Sequence, residues 1–189
     1  GRGLTHLRVD RQAGFADGTT SFYYQTRNAL LRATIDRVIE LDIADFTAAL
    51  DAARNGQVDS LLSQLAKQAL RTAIEPERTR ARARFELMMI AARDPELRTV
   101  FDGFMGRFVA ISEAAVLQVQ DADMSADREL IKEQAFAVVT FLGGFLFRLA
   151  YGLTHLNSAK SLERYLHSVI AGVAAEHSSS DDDRAGGSH

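Results

Sequence analysis

Between Thr26 and Arg54, apolar residues return every three or four positions: Ala29, Leu30, Ala33, Val38, Ile39, Ile43, Phe46 and Leu50. That period lays them along one side of a long α-helix. Thr26 supplies a hydroxyl of the kind that caps a helix start, and Asn55-Gly56 stops the run. The same spacing recurs downstream. Residues 58–73 carry Leu61, Leu62, Leu65, Ala69 and Leu70 on one face, and after Glu75-Pro76 a further helix covers 77–93. Asp94-Pro95-Glu96 combines an N-cap, a proline at the first helical position and an acid at the positive dipole end, opening a helix to about residue 119. Beyond a polar connection at 121–127, helices are predicted over 128–153 and 158–176. Two short helices come first, at 5–13 and 17–24, divided by Gly14. No segment alternates with a strand period, so the expected fold is all-α.

The last two helices differ in pattern. In 158–176 the apolar residues Leu162, Tyr165, Leu166, Val169, Ile170 and Val173 make one stripe, whereas 128–153 is apolar on nearly every side, with Phe141, Phe145, Leu146 and Leu149 among its members. A helix apolar all round must be buried on both faces. The expectation is a two-fold four-helix bundle, two helices from each of two chains, with Phe145, Leu146, Leu149, Leu162, Tyr165, Leu166, Val169, Ile170 and Val173 at the interface. Gly143-Gly144 weakens the helix and fits close approach of a partner helix. The 19 residues 135–153 hold one charge, Arg148, and approach the length of a membrane span. Flanking polar helices argue against that use, and no membrane partner is expected. The segment 177–189, HSSSDDDRAGGSH, has little to bury and is expected to be disordered.

Charge adds to the picture at the start of the chain. The net charge is −3, yet residues 1–32 carry five arginines against two aspartates, leaving them at +3 and the remainder at −6. A basic segment on an acidic body is the balance expected of a polyanion-binding head. The stretch AGFADGTTSFYY, ending in three aromatics, is not core-like. Two short helices around a glycine turn describe a helix-turn-helix, whose second helix enters the major groove. Thr20 and Tyr24, with Phe15 near, would pack inward on Val9 and Ala13. Gly18, Thr19, Ser21, Phe22 and Tyr23 would then face outward, with backbone amides at Gly18 and a guanidinium at Arg27 available to phosphates.

Ala13, Gly14, Gly18, Thr19, Tyr23, Tyr24, Thr26, Arg27, Leu30 and Leu31 together make a pattern that resembles the DNA-binding signature of TetR-family transcriptional regulators, in an actinobacterial-looking branch. Thr5 sits where that family starts its first motif helix. The resemblance implies a head over 1–46 and a helical effector-binding and dimerisation domain over 47–176. It also implies a cytoplasmic repressor that works as a homodimer on a double-stranded DNA operator and answers to a small apolar effector. Three features depart from the pattern. Gly1-Arg2-Gly3 reads as the end of a helix that normally precedes the motif, Asp17 puts an acid on the DNA side, and Ser21 replaces a tyrosine common in the family.

Phe85, Met88 and Met89, with Phe101, Phe104, Met105, Phe108 and Phe141, are the expected effector pocket, since Met and Phe line adaptable apolar cavities. By residue type alone they read first as plain core, and the resemblance, whose family holds an effector pocket in this domain, brings in the pocket. Arg82, Arg84, Glu86, Thr140 and Arg148 are its candidate polar anchors. The alternation Arg78, Arg80, Arg82, Arg84 reads as a solvated helix edge. With no cysteine, no HExxH and no Walker, GxGxxG or GxSxG motif, no catalytic residue, metal ligand or cofactor is assigned. The rival to a regulator is an all-helical small-molecule binder whose head no longer reads DNA.

Overall fold

The computed structural model describes residues 3–54, 60–120, 127–153 and 158–186. The expected stop at Asn55-Gly56, most of the polar connection at 121–126 and the terminal residues 187–189 lie outside these. The described residues form helices α1 (His6–Ala13), α2 (Thr19–Tyr23), α3 (Arg27–Arg54), α4 (Leu61–Arg71), α5 (Glu77–Ala91), α6 (Pro95–Leu117), α7 (Arg128–Tyr151) and α8 (Ala159–Gly186). Several starts are fixed by a short polar side chain that accepts orphan amides. Thr26 takes the Ala29 amide at 3.1 Å, Ser60 that of Ser63 at 3.0 Å, and Asp94 and Asp127 cap α6 and α7 with two amides each.

Two apolar clusters organise the body. One joins α4, α6, α7 and α8 through Leu62, Leu65, Val116, Val138, Leu142, Leu162 and Leu166. The other sets Leu31, Ile35, Val38 and Ile39 of α3 against Leu87 and Ala91 of α5 and Leu97, Phe101 and Phe104 of α6. Because α3 is continuous across residue 46, no break divides head from body there. Buried polar groups lock helix register. Gln134 of α7, fully buried, accepts from Gln120 and donates to the Ile170 carbonyl of α8 at 3.0 Å.

α7 is long and apolar enough to cross a membrane by composition. Its buried residues, from Leu130 through Val138 and Leu142 to Ala150, pack instead against α5, α6 and α8. α8 does not end near Glu176. It continues to Gly186, so the expected disorder from 177 is corrected for the described part of that segment. Its first residue makes a contact the composition hid. His177 reaches back to the start of α7, with Nδ1 3.0 Å from Glu133 and Nε2 3.2 Å from Asp127.

The hydrogen bond to Glu133, aided by Asp127, holds the His177 imidazole above its usual pKa. A raised histidine contributes fully below its unfolded value, about 6.5, and the contribution is lost as pH rises through the folded value. Raising pH from about 6 to about 8 is therefore expected to lower the amide protection factors of α8 around His177. His177→Ala should remove that dependence while leaving α4–α6 protected.

Candidate DNA-reading head and inner cavity

α1 and α2 are held together by one carboxylate. Asp10, fully buried, accepts from the Gly18 amide at 2.9 Å, the Thr20 amide at 2.7 Å and the Thr20 hydroxyl. These bonds, led by that from the Thr20 side chain, hold its pKa below the usual carboxylate range. Gly14 and Gly18 make the turn, at φ 72° and 99°, a left-handed conformation that glycine alone adopts without strain. Thr5 spends its hydroxyl on capping α1.

With Thr20 anchored, Phe22 and Tyr23 are turned out, 79% and 72% exposed. Their rings meet edge to face at 5.3 Å. Ser21 and Arg27 are also exposed, and Thr19 is half-buried. Phe15 and Tyr24 correct the expected inward packing. Both remain exposed, because Asp10 fills the space between the helices and His6 holds Tyr24 by its carbonyl at 2.6 Å. The expectation of free amides at Gly18 is corrected too. The amides of Gly18 and Thr20 go to Asp10 and that of Thr19 to Ala16, so an internal carboxylate already occupies the anion position of this helix start. Thr19 and Ser21 donate their hydroxyl protons to the Ala16 and Gly18 carbonyls. Asp17, the acid on this side, is paired with Arg11 at 3.1 Å.

Deeper in the body, Phe85, Met88, Phe104, Met105 and Phe108 line a cavity of about 80 Å³ with Phe46, Arg84, Val139, Gly143 and Leu146. A polar cavity of about 30 Å³ adjoins it, sharing Phe46, Arg84, Phe108 and Leu146. Three expected pocket residues are elsewhere. Met89 is exposed, Phe101 packs against α3, and Phe141 lies in an outer groove. Thr140 and Arg148 line that outer groove as well, and Arg82 and Glu86 a surface groove beside Phe85. At this volume the inner cavity is well short of the several hundred Å³ of a drug-sized ligand site.

The arginine alternation is not a solvated edge. Arg84 reaches Asp42 of α3 at 2.6 Å, Arg80 reaches the same carboxylate at 3.2 Å, and Arg80 also pairs with Asp45. Asp42 and Arg84 are both buried. Sequence reasoning missed this clasp, although Asp42 falls in register with Ile35, Val38 and Phe46, and Arg84 with Ala81, Leu87 and Ala91. Opposite charges on the apolar stripes of two helices were the available signal.

Of the expected interface residues, Leu149, Leu162, Leu166 and Ile170 are buried within the single chain. The stripe of α8 is its own core-facing side. Leu146 lines the inner cavity, and Val169 and Val173 are half-buried. The outward apolar surface belongs to α7. Phe136 is 69% exposed, Phe147 is also exposed, and Thr140, Phe141, Gly144, Phe145 and Arg148 with Tyr165 and Leu153 line a groove. A Cβ added at Gly144 would meet nothing within 4 Å in this chain.

The model of the family described as tetracyclin repressor-like, C-terminal domain, matches residues 56–175. The chain belongs to the TetR family. No curated protein and no solved structure matches it. The matched residues hold α4 to α7 and most of α8, and all eight helices of the described residues fit an all-α fold.

Two outcomes are expected. Asp10→Asn should speed amide exchange at Gly18 and Thr20 about tenfold or more, because one accepting oxygen becomes a donor facing donors. Asp42→Ala should cost about 3 kcal/mol in urea unfolding, since it leaves Arg84 buried without its partner.

Proposed function

We propose that this TetR-family protein is a homodimeric transcriptional repressor that reads a two-fold-symmetric DNA operator and releases it when a small effector enters the inner cavity. The observation that carries the reading is the way Asp10 fixes Thr20 inward and turns Phe22 and Tyr23 outward from a short, exposed helix. Tyrosine, serine and threonine contact phosphates and base edges without long flexible stems. With the amides at 18–20 already taken, backbone contacts fall to side chains, and Arg27 at the start of α3 supplies the charge.

In a dimer, two such heads meet successive major grooves about 34 Å apart. The partner face in this reading is the outward side of α7 with Tyr165, in place of the buried stripe of α8. α3 is the covalent link from head to body, and it borders the inner cavity through Phe46. An effector acts through it only by preferring one dimer shape. One observation favours the rival reading of a head silent toward DNA: Asp17 presents an acid on the reading side.

Selection from a random duplex library at two salt concentrations tests the proposal. A two-fold-symmetric motif is expected, with affinity falling about a hundredfold between 50 and 200 mM salt if roughly four phosphates are neutralised. No enrichment from a folded dimer would leave the silent head standing. Phe136→Glu should convert the dimer to monomer in sedimentation while preserving helix content, by burying an unpaired charge at the face.

A further inference from the structure

The inner cavity has apolar walls and one cation. Phe46, Phe85, Met88, Phe104, Met105 and Phe108 supply the body of the wall, and Arg84 is the charged group among its lining residues. Arg84 is 9% exposed and gives a single hydrogen bond, from Nη1 to Asp42. Among the described residues, nothing accepts from its Nε or Nη2. Among the described residues no side-chain nitrogen sealed from solvent goes unpaired, so these donors are reachable from the space beside Arg84, which borders both the apolar cavity and the polar one. The guanidinium also lies 5.3 Å from the centroid of the Phe85 ring, which helps hold its plane beside the apolar wall.

We infer that the effector of the regulator proposed above is a small monocarboxylate with an aromatic or short branched apolar body, held by the unused edge of Arg84. This rests on the regulator reading and names the chemistry of its site. A guanidinium edge offers two parallel donors at the spacing of a carboxylate, and a neutral oxygen fills only one of them. A phosphate would bring further charge to a place where Arg80 is already committed to Asp42 and Asp45. The apolar body needs more than the present 80 Å³ or so. Met88 and Met105 are the flexible side chains of the wall that yield to it.

The same contact explains how binding reaches α3. Arg84 is the clasp to Asp42, and a ligand carboxylate draws its guanidinium toward the cavity. Asp42 stays compensated meanwhile, because Arg80 holds its other oxygen at 3.2 Å. The ligand thus takes Nε and Nη2, and the shift of the guanidinium lengthens the Nη1 bond to Asp42 without stranding a buried charge, so that α3 can change its angle to α5.

Calorimetry of the full-length protein with three isosteres, phenylacetate, phenylacetamide and phenethylamine, tests the inference. Phenylacetate is expected to bind at least about tenfold tighter than the amide, with no binding by the amine. Arg84→Met should abolish the preference. Should that variant fail to fold, the double variant R84M/D42N removes both charges and carries the same expectation. Equal binding of acid and amide, retained preference in the arginine variants, or no binding of the acid at millimolar concentration would each overturn the inference. The regulator reading fails separately. If the acid is preferred through Arg84 yet no duplex is bound with or without it, the site stands and the repressor does not. If duplex binding is selective but acid and amide are indistinguishable, the repressor stands and the carboxylate site does not.

Discussion

The ion-pair clasp between α3 and α5 constrains more of this molecule than any other contact. Asp42 sits on the side of α3 that otherwise buries Ile35, Val38 and Phe46, so a charge there must be met by a charge. Arg84 and Arg80 meet it from α5, and the pairing fixes the register of the two helices in a way that interchangeable apolar contacts do not. From that register follow the position of Phe85 and Met88 beside Phe104 and Met105, and hence the inner cavity. The angle at which α3 leaves the body toward α1 and α2 follows as well. A hydrophobic pair at these positions would hold the helices with less directional demand, and would give an incoming polar group nothing to compete for.

The head repeats this logic on a smaller scale. A two-helix unit of so few residues has almost no core: Thr20 and Asp10 are its buried side chains, and both are polar. One carboxylate accepting three hydrogen bonds takes the place of an apolar centre. The arrangement leaves aromatic rings outside, where a hydrophobic centre would have drawn them in. It also fills the N-terminus of α2 from within, so the positive dipole end of that helix is already met by a charge of the same chain.

What could be read from the sequence was whatever is decided locally. Thr26 as the cap of α3, Asp94-Pro95 as the start of α6 and the glycines around α2 depend on a few neighbouring residues and were legible. The stripe of α8 was legible as a stripe, but periodicity reports that a face is buried and not against what. Leu162, Leu166 and Ile170 turned out to face their own chain. Met88 and Met89 are adjacent, and a helix sends them about 100° apart, so both could not serve one cavity. The clasp, the Asp10 pin and the reach of His177 to α7 join residues 42, 10 and 50 positions apart, and only the folded chain brings them together.

If the clasp sets the orientation of α1 and α2 through α3, breaking it must move them. The chain has no cysteine, so Gln12→Cys on the exposed side of α1 gives a single labelling position per chain. In the proposed dimer, pulsed dipolar spectroscopy of the labelled protein, with Asp42 intact and with Asp42→Asn, measures the distance between the two copies of α1 directly. One narrow distribution is expected with the clasp intact and a shifted or broadened one without it. The same narrow distribution in both proteins, with the body folded in each, would contradict it.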